Sequence, residues 1–466
     1  MKITTGIRIF AALTFLLFHQ CAFYPTEPRT NNRESLSYSY VKLTNSLMKE
    51  LEQFRGKRFK RGVAVAVVTS EEYRMQVADQ IHEMTAEKRK LLNDVYIREN
   101  LLRPGVDYFD GYDTMMETSV AGFYSGGTDT ISILIENGSD SISGYDSVVI
   151  FHELVHALQD QYFDLNGLQD STTSSDEYYA INYTIEGEAE LLAEYYSYRK
   201  AHGSWPSSSV PVVESFALMN QWIEEDVNRL HADGEPLLRI LPFWWAYYSY
   251  GPLFINEVAR GDWTVIDKKI FASPPGKTVE VMYPSLYTTN RKEYRMDMSA
   301  FLKTLGTTHE IVDVDELGYM LRCVLLREWN ITGWKTVHKA IQADNIIVYR
   351  EKDGTPLRLI WYTRWDGSNS RAFVDAYSSI VETRRKIRLP AGRSDVNGYT
   401  INDTINKVYI EQRDSTVIIL EDYLPYHLNN WLEQLHATTG YNPLAKKGEE
   451  PHYPRVDKKP IMKNSW

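Results

Sequence analysis

The sequence predicts an α+β protein whose middle is mostly helical, with a small α/β unit before it and an α+β unit after it. Three observations carry this reading. Between about residues 146 and 258, apolar residues recur every three or four positions, as they do along one face of a helix. The run Gly62 to Thr69 (GVAVAVVT) and two runs between Ser119 and Ile135 read instead as buried strands. Beyond about Asn345, strand-like runs (IIVYR, LRLIWYT, KVYIEQ, STVIIL) alternate with helical stretches at Ser370 to Arg384 and Pro425 to His436.

Taken in order, residues 1–21 have the pattern of an export leader. Lys2 and Arg8 give a positive start, and Ile9 to Phe18 is an apolar run too short to span a bilayer. The run ends at Cys21, a candidate for lipidation, and a polar tether follows over residues 22–37. Phe18, His19 and Gln20 are bulkier than the residues a lipoprotein signal peptidase usually accepts, so the expectation is export, either secreted or anchored in the cell envelope. No later segment has 18 uninterrupted apolar residues, so any membrane attachment falls to the leader or a lipid.

Residues 38–104 form the N-terminal α/β unit, with a helix over Tyr38 to Phe54, the strand at Gly62 to Thr69 and a charged helix from Ser70 to about Asn100. This unit shows no chemistry of its own, and Pro104 with Gly105 makes a boundary. Residues 105–344 form the central domain. It opens on a hairpin (SVAGFY, SGGTD, TISILI), which can offer an edge strand to a bound peptide or add one more pair to a sheet. A helix then runs from Asp146 to Tyr162 on Val148, Phe151, Val155, Leu158 and Tyr162, with Asp146 or Ser147 placed to cap it. Further helices are expected over Glu177 to Lys200, Val212 to His231 and Leu237 to Val258. Residues 345–445 form the C-terminal α+β unit, and residues 446–466 a lysine-rich tail.

Composition narrows the function. With 43% hydrophobic and 24% charged residues over 466 positions, the chain has a globular make-up. A net charge of −11 without a long basic run argues against a nucleic-acid partner. The two cysteines, Cys21 and Cys323, give no disulfide framework. The 32 tyrosines suit a surface that grips an extended polymer, but they suit an amphipathic core better.

The chemistry is concentrated on the helix at 146–162. Residues 152–156 read HELVH, placing His152 and His156 at i and i+4 on one helix face, close enough to share one tetrahedral zinc ion. Glu153 is rotated off the ligand axis toward the position water would take, where it can act as the base that activates water for attack on a carbonyl. The next predicted helix carries YTIEGEAELLAEYY, residues 183–196. Glu186 there completes a His₂Glu set with one open position, with Glu188 and Glu194 as rival third ligands. Glu190, one turn on, is placed to accept the free ring N–H of a ligand histidine, and Gly187 permits close helix approach. Each feature has a plainer reading: solvated helix charges, or histidines that are simply hydrogen-bonded. The helical placement and the conjunction of the two segments favour the metal.

On these residues the sequence resembles the gluzincin group of zinc metallopeptidases, the thermolysin-like class. More narrowly it is similar to a family of secreted bacterial and archaeal proteins with HALQDQ after the motif, matched by His156 to Gln161. That family's YxxGxxF helix is matched by Tyr248, Gly251 and Phe254. Its PPxST…HPxxY segment appears as residues 274–287 with Lys277 for Ser and Tyr283 for His, so roles carried by those two positions do not transfer. Gly333 with Trp334 and Trp365 with Asp366 extend the likeness, which spans roughly residues 55–385. The resemblance implies a thermolysin-like core, one zinc per chain and a protein or peptide substrate. It also implies an oxyanion donor opposite Glu153, with Tyr248 the candidate and Tyr247, Tyr250 and His231 left open.

The metzincin class is set aside because Gln159 and Tyr162 stand where it needs Gly and His. GFYSGG stands where gluzincin aminopeptidases carry GxMEN, which favours an endopeptidase. Calcium is undecided, since no loop has the spacing of a calcium site. The competing reading from another class is a catalytically silent surface-anchored binding protein with a structural or relic zinc site. An intact Glu153 argues against it, because a purely structural site has no use for a base beside an open position.

Overall fold

The computed structural model describes residues 33–75, 84–109, 120–135, 142–233, 247–289, 295–333, 341–354, 356–365, 370–386, 399–402, 407–438 and 440–441. The leader with Cys21 and the tail from 446 lie outside the described residues. The protein is of the α+β class, with helix outweighing strand.

Helix α1 (Arg33–Arg55) is followed by strand β1 (Ala64–Thr69) and helix α2 (Ala86–Arg98). The charged helix expected from Ser70 to Asn100 is not continuous, because Thr85 accepts from the Lys88 amide and starts a new helix there. The hairpin is formed by β2 (Gly122–Ser125) and β3 (Thr130–Ile135). β1 pairs in parallel with β3, giving a three-stranded sheet in the order β1-β3-β2 with β2 at its edge. The opening segment therefore shares a sheet with the hairpin beyond Pro104.

Helix α3 (Gly144–Phe163) starts earlier than its apolar periodicity. Its cap is Ser143, in a reciprocal box with Asp146, which sits at the third helical position instead of capping. Short α4 (Leu165–Asp170) leads to α5 (Ser175–His202), which is capped by Ser174 and closed by Gly203 in the left-handed conformation. Two further helices follow, α6 (Val210–Asp233) and α7 (Tyr247–Ala259). α5 and α7 cross at Gly187 and Gly251, where a methyl group on either would overlap backbone of the other helix. This crossing, one residue from Glu186, brings the two helices closer than a side chain at either position would allow.

Strand β4 (Arg295–Met296) pairs with Gly440–Tyr441, and the C-terminal half is otherwise a six-stranded antiparallel sheet in the order β5-β6-β7-β10-β9-β8. It comprises β5 (His309–Asp315), β6 (Ile341–Glu351), β7 (Arg358–Trp365), β8 (Tyr399–Asn402), β9 (Lys407–Arg413) and β10 (Thr416–Glu421). The boundary expected at 344/345 falls inside β6, and β5 precedes it. β5 escapes sequence reading because His309, Asp313 and Asp315 are buried in it, which breaks the apolar pattern of a strand. Both sheet faces are covered, so alternate residues of one strand enter different cores. Ile346, Val348 and Trp361 share a core with helices α9 (Gly318–Glu328) and α10 (Ser370–Arg385), while Ile347, Ile360 and Tyr362 pack with α8 (Ser299–Thr308) and α11 (Leu428–His436). No described helix is long and apolar enough to cross a membrane.

Candidate metal centre

α3 and α5 pack side by side, with α1 and the first sheet behind α3. Because His152 and His156 are one turn apart, both rings leave α3 toward α5, and their planes stand edge to face with centroids 4.7 Å apart. Opposite them Glu186 projects from α5. His152 Nε2 and His156 Nε2 lie 3.0 Å apart, and Glu186 Oε2 is 3.2 Å from the first and 3.5 Å from the second. These residues form the one group among the described residues that could hold a metal ion.

The size of this triangle tests the fit. With ligand bonds of about 2.0–2.1 Å, the edge of a tetrahedron around zinc is about 3.3 Å, and the three separations bracket that value. Glu186 Oε2 is buried and, apart from the two rings at 3.2 and 3.5 Å, has no polar partner among the described residues. A buried carboxylate oxygen of this kind is what a cation satisfies. Burial would raise the Glu186 pKa, but the imidazoles of His156 and His152 override it and bring it down to about 2, so the carboxylate is ionised at any working pH. For His152 burial disfavours the charged ring, yet Glu186, Glu190 and Glu153 hold its pKa well above the imidazole range.

Glu153 is buried at 7% exposure beside this group. Its pKa is raised, first by burial, with the two histidines pulling it back and Glu186 adding to the rise; the Tyr124 amide on edge strand β2 donates to its carboxylate. Tyr248 on α7 comes within 6.3 Å of His152, ring centroid to ring centroid. Burial, then the nearby Glu186, Glu190 and Glu153 carboxylates, keeps its phenol protonated far above the usual range. Tyr247, by contrast, packs edge-on against Tyr183 and over Tyr179. Tyr250 packs against the core, and the side chain of His231 lies outside the described residues.

Behind the group, the Glu190 oxygen Oε2 lies 3.1 Å from His152 Nδ1, and Gln159 Oε1 lies 3.0 Å from His156 Nδ1. Glu188 turns away from the histidines and pairs with Arg55 at 2.7 Å. The polar residues of the HALQDQ run each have a partner. Gln159 holds a ring; Asp160 receives Tyr124 Oη and the Leu165 amide. Gln161 accepts from the Lys60 and Arg61 amides and pins the loop after α1. The contacts that Gln159, Arg55 and Tyr124 make behind and beside the group were not assigned from sequence. The spacing of Gln159, three positions after His156 on the same helix, is a signal that could have found it.

Glu190→Gln is expected to weaken zinc binding by roughly 10- to 100-fold with the fold intact, because His152 loses its charged partner. Glu194 is the control. It is pushed up to about 7 by burial and then by Glu190, so ionising it costs folded-state stability as pH rises from the ordinary glutamate range toward 7. Glu194→Gln removes that cost and should keep wild-type zinc affinity. A competitive titration of both variants against a chelator checks this, and equal affinities for Glu190→Gln and wild type would return Glu190 to an ordinary helix charge.

Compared with known proteins, residues 307–428 match a family described as a domain of unknown function (DUF8575). That stretch runs from the last residues of α8 to the first of α11 and contains none of the residues of the metal group. No curated protein and no solved structure matches the chain.

Proposed function

We propose that the protein is a zinc-dependent peptidase with a thermolysin-like catalytic core, hydrolysing proteins or peptides outside the cytoplasm. The observation that carries the proposal is the convergence of His152, His156 and Glu186 at the edge lengths of a zinc tetrahedron, with the carboxylate of Glu153 buried beside them. Export is supported by the leader pattern of residues 1–21.

His152, His156 and Glu186 would hold a zinc ion, which when bound would supply Lewis acidity toward a carbonyl oxygen and make water more acidic. Glu153 then takes the proton from the attacking water, a task for which a raised pKa suits it at neutral pH, and passes it to the leaving amine. Tyr248, whose phenol stays protonated at working pH, donates to the carbonyl oxygen as charge develops there. Edge strand β2 lies against Glu153 and offers its backbone to an extended peptide, which favours cleavage within a chain.

Protein purified without chelator should carry about one zinc per chain. Stoichiometric zinc in a variant lacking both histidines would contradict the assignment. Tyr248→Phe is expected to lower kcat by roughly 10²-fold with little change in KM, measured on a quenched peptide substrate. An unchanged kcat would leave Tyr248 as a packing residue.

A further inference from the structure

A chain of buried polar contacts leads from His156 to the end of α1. Gln159 Oε1 meets His156 Nδ1 at 3.0 Å, while Gln159 Nε2 donates to the Ile185 carbonyl at 3.0 Å and to Glu188 Oε2 at 2.9 Å. Arg55 Nε donates to Glu188 Oε1 at 2.7 Å, and the other guanidinium nitrogens reach the Trp263 carbonyl at 3.1 Å and Asp267 at 2.6 Å. Arg55 and Glu188 are 5% and 2% exposed.

The chemistry of the donors and acceptors makes this chain directional. A carbonyl and a carboxylate only accept, so Gln159 must turn its NH₂ group toward Ile185 and Glu188 and its oxygen toward His156. An amide oxygen at Nδ1 requires the ring proton there. That leaves Nε2, the atom facing His152 and Glu186, with a lone pair for a metal. Glu188 keeps its place in a site this dry because the guanidinium pairs with it; without Arg55 a buried carboxylate faces only an amide.

We propose that Arg55 is a positioning residue of the metal centre, holding His156 in its metal-ready tautomer through Glu188 and Gln159. The inference rests on the zinc reading above. It makes α1 a permanent wall of the site and not a removable propeptide, since excising it would take the guanidinium away. A merely structural Arg55, tying α1 to the short helical segment 263–267, would affect stability and leave the ring and the metal untouched.

The test is a competitive zinc titration of the full chain, joined to long-range ¹H–¹⁵N correlation spectra of protein labelled at histidine. Arg55→Met should bind zinc about 10-fold more weakly. In its metal-free form part of the His156 signal should move from the Nδ1–H to the Nε2–H pattern. Arg55→Lys should recover part of the affinity. Asp267→Asn, which loosens the same guanidinium without touching Glu188, should keep wild-type affinity. Gln159→Met, which interrupts the chain at its middle, should match Arg55→Met and serves where that variant does not fold. Wild-type affinity in Arg55→Met or Gln159→Met overturns the proposal, as does equal weakening in Asp267→Asn. A wild-type chain that binds no zinc overturns the peptidase reading along with it, whereas a zinc-binding wild type with an indifferent Arg55→Met removes this inference alone.

Discussion

Glu153→Gln is expected to keep the zinc content and thermal unfolding of the wild type while hydrolysing peptides about 10³-fold more slowly. Glutamine fills the same buried volume and still accepts the Tyr124 amide through its carbonyl oxygen, so nothing in the packing changes. What disappears is the ability to take a proton. The buried position strengthens the effect, since little water can reach the site to act as a substitute base. Turnover, zinc content and unfolding are measured on one preparation; wild-type turnover would remove Glu153 from the mechanism and leave zinc binding standing.

His156→Ala is expected to lose stoichiometric zinc altogether, with affinity falling by more than the roughly 100-fold that disruption of an outer partner costs. The side chain is 1% exposed and touches both other members of the group, so the loss opens one corner of the triangle and leaves a cavity beside Gln159. The zinc content of the purified variant, read by atomic emission, checks this. Retention of one ion per chain would place the metal elsewhere.

Local pattern was legible in the sequence wherever one residue's neighbours along the chain also decide its environment. The HELVH helix, the Glu186 helix and the strands with apolar runs follow from spacing alone, because i and i+4 share a helix face and alternate residues share a strand face. Ser143 was missed since a helix begins before its apolar face does. β5 was missed since its buried acids are satisfied by distant partners, Asp315 by the amide of Ser175 for one. The parallel pairing of β1 with β3 joins segments that no local rule connects. The same holds at the site: the grouping of His152, His156 and Glu186 was readable from two helices, but the side chains packed behind it come from α1, α3 and α5 together. Sequence favoured Glu186 and kept Glu188 as a rival, because the partner that turns Glu188 away is a guanidinium more than a hundred positions away.

The central claim is metal-dependent hydrolysis of peptide bonds, and a mixed-peptide digest read by mass spectrometry tests it most directly. Wild-type protein with one zinc per chain should generate new internal cleavage products, lose them on chelation and regain them when zinc is restored, while Glu153→Gln yields none. A fully zinc-loaded wild type that leaves every peptide intact would contradict the account.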